Sequence, residues 1–164
     1  TPTSVTMSKL TDGKWTYVET TTNADGSGSG TISDGIWKLP ATRAKNVNEL
    51  FVNAKSGTLA STLKESTAPL AMNFTAGAID QNNNTYQIVS FQQFSHEKSD
   101  WGHQLRPYKD RLVEFIAPDC RSIPEQGTFL GCTKLTNVIL KAGATLGQKN
   151  IFKFPTFLGQ GWQN

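Results

Sequence analysis

The sequence predicts a β-rich α/β fold, arranged as a short solenoid behind an N-terminal β-rich cap. Apolar residues recur in short alternating runs bounded by turn residues, which is the pattern of strands. Only one segment, 57–66, spaces its apolar residues as a helix does. An apolar-x-x-apolar-x-apolar frame begins at Leu112 and again at Leu135, 23 residues later. A period in the low twenties is typical of solenoids built from a strand and a return turn.

Seven runs carry the strand pattern, and we expect each to bury its alternate apolar side chains. In chain order they are KWTYVE (14–19), GIWKLP (35–40), ELFVNA (49–54), LAMNFT (70–75), YQIVSF (86–91), VEFIAP (113–118) and NVILKA (137–142). In the helix candidate, Leu59 and Leu63 lie four residues apart on one face, and Thr58 is the predicted N-cap.

Three polar segments separate the strands. NADGSGSG, 23–30, predicts a hairpin tip or loop, because it is too rich in glycine and polar residues to pack. DQNNN, 80–84, predicts a tight turn between two strands. SHEKSDWGHQLRPYK, 95–109, is the longest irregular stretch, and long loops often carry binding residues.

The repeat frame also predicts how the chain is organised. Weaker copies of the frame begin at Val47 and Tyr86. We therefore expect a single domain with an N-terminal β cap over 1–45, a repeat-like region over 46–152 and a C-terminal cap over 153–164.

Residues 112–140, LVEFIAPDCRSIPEQGTFLGCTKLTNVIL, resemble the BspA-type leucine-rich repeat of bacterial surface proteins. Ile123 stands at the mid-repeat isoleucine, Phe129 at the aromatic position, and Cys132 and Leu135 close the unit. The resemblance implies a right-handed leucine-rich-repeat solenoid. It also implies a non-enzymatic protein, exported to the outer surface of the bacterial cell envelope or beyond, that adheres to or recognises a host protein or glycan. A lipid anchor on a removed leader would be its link to the membrane.

A second resemblance supports an alternative function. KLTDGKWTYVE, 9–19, is similar to the opening of lipocalin-like β-barrels, which implies a carrier of a small ligand. A glycan-hydrolase accessory unit is a third alternative. A closed barrel with an apolar cavity would favour the carrier, whereas stacked strands with a solid interior would favour the repeat protein.

The predicted ligand-binding residues are Trp101, His103, Arg106 and Tyr108, all in the 95–109 loop. Aromatic rings beside hydrogen-bonding side chains are a common means of gripping a sugar ring or a protein partner. The alternative is that either Trp101 or Tyr108 folds back as a lid over the core, because tryptophan is on average highly buried.

The residues predict no catalytic group, metal site or cofactor. His96 and His103 lie seven residues apart in one loop with Glu97 and Asp100 between them, but no helical pattern and no further His or Cys cluster completes a metal site. The net charge of +3 is scattered, so no nucleic-acid partner is expected. No apolar run approaches the ~20 residues of a membrane-spanning helix. Cys132 is predicted to be a structural core residue, and a disulfide with Cys120 is left open.

Overall fold

Residues 12–96 and 98–150, which the computed structural model describes, fold around a closed six-stranded β-barrel. In chain order the strands are β1 (Trp15–Thr22), β2 (Gly28–Ser33), β3 (Trp37–Arg43), β4 (Glu49–Asn53), β5 (Thr58–Leu59), β6 (Leu70–Asn73), β7 (Ala78–Ile79), β8 (Thr85–Gln92), β9 (Leu112–Ala117), β10 (Ser122–Ile123), β11 (Asn137–Leu140) and β12 (Thr145–Leu146). The helical elements are short: α1 (Ser61–Lys64) and 3₁₀ turns at Ala54–Ser56, Ser99–Trp101 and Arg106–Arg111. No helix in the described ranges is long and apolar enough to cross a membrane.

The barrel closes through its shortest strand. Strands β1 to β4 form an antiparallel series, β8 runs parallel to β4, and β7 joins β8 to β1. In this junction Ala78 lies opposite both Trp15 and Tyr86. Gly77, just before β7, has a positive φ of 66°, and a Cβ there would lie 2.4 Å from the Tyr86 carbonyl oxygen. Closure therefore depends on a glycine at this position.

Parallel strands extend from the barrel in two places. Strand β10 lies between β8 and β12, and a second sheet has the order β6, β9, β11. Phe115 of β9 lies opposite Val138 of β11, and Ile123 of β10 lies opposite Leu146 of β12. Both pairs are separated by 23 residues, which is the spacing of the repeat frame in the sequence.

The prediction of an open leucine-rich-repeat solenoid is nevertheless wrong. The upstream copies of the frame, at Val47 and Tyr86, contribute strands β4 and β8 to the wall of a closed barrel. Strands β4 and β8 pair with each other in parallel, but β4 is also antiparallel to β3 and β8 to β7, so both belong to the closed barrel and not to an open parallel solenoid. The frame describes only which side chains of a strand are buried, and this pattern does not determine which strand lies beside it.

Residues 15–43, expected in the N-terminal cap, supply β1 to β3 of this barrel and pair directly with β4. The predicted C-terminal cap, 153–164, lies outside the described residues.

The predicted positions of the strands and of the turn agree with the structure better than the predicted solenoid arrangement does. Each of the seven predicted runs overlaps a strand, and 80–84 forms a tight turn in which Asp80 N donates to Asn84 O at 3.0 Å. The helix occurs within 57–66, but its predicted cap is wrong. Thr58 belongs to β5, and Ala60 occupies the N-cap position without a side-chain hydrogen bond.

A core of aromatic side chains joins the barrel to the second sheet. The indole N–H groups of Trp15 and Trp37 donate to the carbonyls of Asn73 and Ala71, at 2.8 and 2.9 Å, so barrel side chains satisfy backbone groups around β6. Between these layers four rings pack against one another: Phe74, Phe91, Phe115 and Phe129.

Both cysteines are free thiols. Cys120 is buried, and Cys132 is partly buried against the core. Burial raises the pKa of Cys120 to about 11 and that of Cys132 to about 12. Because the thiolate is the reactive form, both are poor nucleophiles at neutral pH.

Candidate functional site

The barrel wall has a gap between β1 and the turn at 80–84. Strand β7 pairs with β1 only at Trp15 and Thr16, and the chain turns away at Asp80. Beyond Thr16, β1 is paired on one side alone within the described ranges, by β2. A cleft of about 520 Å³ occupies this gap.

The first wall of the cleft is built around the carboxylate of Glu19. It accepts hydrogen bonds from Arg43 Nε at 2.7 Å, Arg43 Nη2 at 3.3 Å, the Tyr17 hydroxyl at 2.8 Å and the Thr22 hydroxyl at 2.9 Å. Arg43 and then the hydroxyls lower the pKa of Glu19 to about 2. Gly28 leaves room for this arrangement, because a Cβ there would lie 2.0 Å from Glu19 Oε1.

The second wall is the turn itself, organised by the carboxylate of Asp80. It accepts hydrogen bonds from Asn82 N at 2.8 Å, Asn84 N at 2.9 Å, Asn84 Nδ2 at 3.1 Å and the Tyr86 hydroxyl at 2.8 Å. Desolvation acts to raise the pKa of Asp80, but these bonds outweigh it and lower the pKa to about 2. Burial, together with the bond to Asp80, raises the pKa of Tyr86 to about 12.

Two tyrosines connect the walls, and two aliphatic side chains border the opening. The rings of Tyr17 and Tyr86 meet edge to face with centroids 5.1 Å apart. Burial raises the pKa of Tyr17 above its ordinary value, so its hydroxyl also remains protonated. Val18 and Ile79 line the same cleft with large exposed apolar surfaces. The site therefore combines a rigid polar network with an apolar rim.

Neither carboxylate of the cleft is suited to act as a general acid. General acid catalysis of glycoside cleavage needs a carboxyl group whose pKa is raised towards the operating pH. The pKa values of Glu19 and Asp80 are both lowered to about 2. Both groups remain anionic at neutral pH, so neither can supply the proton that general acid catalysis of glycoside cleavage requires.

The four predicted ligand-binding residues lie in the 95–109 loop, and none of them lines the cleft. Trp101 is 42% exposed and stacks on His96 with centroids 4.2 Å apart. His103 is buried, and Arg106 Nε donates to the His96 carbonyl at 2.7 Å. Tyr108 is partly buried against the core, as the lid alternative described. Of the four, Trp101 is the exposed side chain.

The loop holds two buried histidines together. The ring centroids of His96 and His103 are 5.8 Å apart. His96 Nε2 and His103 Nδ1 have no hydrogen-bond partner. His103 Nε2 contacts the Gln93 side chain, which also donates to Glu125. Gln93 has a positive φ of 72°, rare for a residue with a side chain. The part of the chain that the structure describes contains no group of three or more His, Cys, Asp or Glu that could hold a metal ion.

Acid is expected to loosen this loop. Burial lowers the pKa of His103, and His96, Lys55 and Arg106 lower it further, while Glu125 opposes them. An unfolded histidine has a pKa of about 6.5, so below that pH the open loop binds a proton that the closed loop resists. The stability of the closed loop should therefore fall as the pH drops below about 6.5.

Limited proteolysis of the loop at pH 7.5 and 5.5 measures this effect. Cleavage between residues 96 and 111 should accelerate at the lower pH, after correction for protease activity on an unstructured peptide. The His103→Gln variant should show a smaller change. Equal cleavage rates of the native protein at the two pH values would contradict the expectation.

Sequence reasoning missed the cleft because its residues are distant in the chain. Only the turn gave a signal, since Asp80, Asn82 and Asn84 echo a calcium loop, but Thr85 stands at the glycine position of that motif. In the structure, hydrogen bonds within the turn occupy the Asp80 carboxylate.

No protein-family model matches the chain, and comparison with curated proteins and solved structures likewise finds no match. The function is therefore argued from the geometry of the site.

Proposed function

We propose that the chain is a non-enzymatic binding protein that holds a small polar ligand in the cleft between β1 and the 80–84 turn. The observation that carries the proposal is a cleft of about 520 Å³ whose polar walls are held by hydrogen bonds among their own side chains. A β-barrel agrees with the carrier alternative, but the proposed site lies in the barrel wall and is lined by polar and apolar surface in similar amounts, whereas the carrier was expected to have an apolar interior cavity.

The size of the cleft favours a small molecule. Binding sites for small molecules usually measure about 300–1,000 Å³ and combine apolar surface with a few fixed polar groups. The volume of the cleft lies within this range. Val18 and Ile79 supply the apolar part, and the networks of Glu19 and Asp80 supply the fixed polar part.

The hydrogen bonds that fix the side chains of the cleft walls favour a high affinity for a ligand. Each carboxylate is held by several hydrogen bonds, and the tyrosine hydroxyls are oriented by the carboxylates they contact. A ligand that enters does not have to order these side chains, which is one of the main costs of binding.

A fragment screen by residue-resolved NMR tests the proposal. Fragments that bind should shift the amide signals of Val18, Ile79 and Asn82, which line the cleft. Val18→Trp should block this binding by filling the cleft. Val47→Trp is the matched control, because Val47 is 46% exposed, compared with 54% for Val18, and does not line the cleft.

Loss of binding in Val18→Trp and its retention in Val47→Trp would support the proposal. If no fragment shifts the cleft residues, or if Val18→Trp binds as the native protein does, the proposal fails.

A further inference from the structure

We infer that the cleft selects a neutral, polyhydroxylated ligand, such as a sugar, over ligands that carry an ammonium or carboxylate group. The inference rests on the proposed function and specifies the ligand class of the same site. It follows from the hydrogen-bonding capacity that the cleft residues have left after binding one another.

The carboxylates have little capacity left for a cationic ligand. An ionised carboxylate offers about four lone-pair sites. Glu19 accepts from Arg43 Nε and Nη2 and from the hydroxyls of Tyr17 and Thr22, at 2.7–3.3 Å. Asp80 likewise accepts from two backbone N–H groups, from Asn84 Nδ2 and from Tyr86. An ammonium group entering the cleft would have to displace one of these bonds.

The guanidinium offers little to an anionic ligand. Arg43 is engaged with Glu19 through both Nε and Nη2, and its Nη1 donates to the Ala44 carbonyl at 3.2 Å. A carboxylate ligand would compete with Glu19 for this charge, and it would approach Asp80, a second anion. The lining residues carry two negative charges and one positive charge, so the local field opposes an anion. The field attracts a cation, so discrimination against an ammonium group rests on the occupied lone pairs of the two carboxylates.

The remaining capacity suits hydroxyl groups. Tyr86 donates its proton to Asp80, so its phenolic oxygen can still accept a hydrogen bond. Tyr17 is fully buried and serves the site by holding Glu19 in place. Arg43 retains Nη hydrogens beyond the three bonds it makes, and these can donate. A hydroxyl group both donates and accepts hydrogen bonds. A ligand ring with several hydroxyl groups can therefore bond to both the phenolic acceptor and the Arg43 donors.

The apolar rim is compatible with the same ligand. Val18 and Ile79 lie at the cleft with exposed aliphatic surface. The C–H groups of a pyranose ring could pack on these side chains while its hydroxyls face the polar walls. An aliphatic rim, beside polar walls whose charged groups are already hydrogen-bonded, matches a sugar better than a fully polar ion.

Matched sugars test the inference by NMR titration. The probes are glucose and galactose, their 2-amino derivatives and their uronic acids, so each set keeps a pyranose ring and varies the charge. At least one neutral sugar should shift Val18, Ile79 and Asn82 and bind at least tenfold more tightly than its charged counterparts. Tyr86→Phe removes a phenolic oxygen while keeping the ring, and it should weaken that binding about tenfold.

The outcomes separate the inference from the proposed function. If an amino sugar or a uronic acid binds in the cleft as tightly as the neutral sugar, the selectivity is wrong and the binding function stands. If fragments bind in the cleft but none of the six sugars does, the ligand class is wrong. If neither sugars nor fragments shift the cleft residues, both fail.

Discussion

Replacing Phe115 with alanine is expected to lower the free energy of unfolding by about 3–5 kcal/mol, the usual cost of removing a fully buried aromatic ring. Phe115 is completely buried, and its ring centroid lies 4.9 Å from those of Phe91 and Phe129 and 5.6 Å from that of Phe74. These contacts join the second sheet to the barrel, so the cavity would open where the two packed layers meet.

Denaturant unfolding of Phe115→Ala and Phe51→Ala measures this effect against a matched control. Phe51 is 38% exposed on β4, and its truncation should cost less than about 1 kcal/mol because little buried surface is lost. A small loss in Phe115→Ala, or equal losses in the two variants, would contradict the packing described for the core.

Replacing Arg43 with glutamine is expected to weaken ligand binding in the cleft by roughly 10- to 100-fold, since hydrogen bonds to charged groups contribute about 1.5–3 kcal/mol. The change removes both guanidinium bonds to Glu19, at 2.7 and 3.3 Å, and the Nη hydrogens available to a ligand. Glu19 would then keep the hydroxyls of Tyr17 and Thr22 as donors and could move from its place over Gly28.

The structure supplies a control with the same chemistry. Arg121 also forms a two-bond pair with a glutamate, Glu49, at 2.9 and 3.0 Å, but this pair lies on the surface away from the cleft. Arg121→Gln should leave the affinity unchanged. The affinity of each variant is measured by NMR titration with the fragment or sugar that produces the largest shifts at Val18 and Ile79. Equal losses in the two variants would show that Arg43 has no special role in the cleft.

The sequence predicts strands well where burial alternates along one segment. Trp15 and Tyr17 in β1, and Leu50 and Val52 in β4, are buried as their spacing indicates. Strand β2 was missed because its first residues are glycine and serine, which resemble a loop. Those glycines fit the strand for a steric reason, since a Cβ on Gly30 would lie 1.9 Å from the Val18 carbonyl oxygen.

The sequence could not predict how the strands are arranged, because closure depends on a short contact between distant residues. Strand β7 consists of Ala78 and Ile79 alone, too few residues to show a period, yet it connects β1 to β8. The 23-residue spacing between Phe115 and Val138 corresponds to a real parallel pair. Extending the same frame upstream failed because β4 and β8, although parallel to each other, lie in a different sheet from β9 and β11 and are closed into the barrel by antiparallel neighbours.

The candidate site was hidden from the sequence for the same reason. Glu19 and Arg43 lie on strands that are separated by β2, and Tyr17 and Tyr86 are brought together by barrel closure. Trp101 was chosen because an aromatic residue in a polar loop is a good binding candidate. It is 42% exposed, and its role in binding stays a prediction. The involvement of His103 in a buried cluster depends on Gln93 and Glu125, which no local pattern connects to it.

Cross-strand nuclear Overhauser effects around β7 test most directly whether the barrel closes and leaves a gap beside β1. We expect contacts from Ala78 to both Trp15 and Tyr86, and none that place another strand from residues 12–96 or 98–150 beside Glu19 on the side away from β2. Absence of the contacts from Ala78 would contradict the closed barrel, and a strand from these residues found against Glu19 on that side would contradict the cleft in its wall.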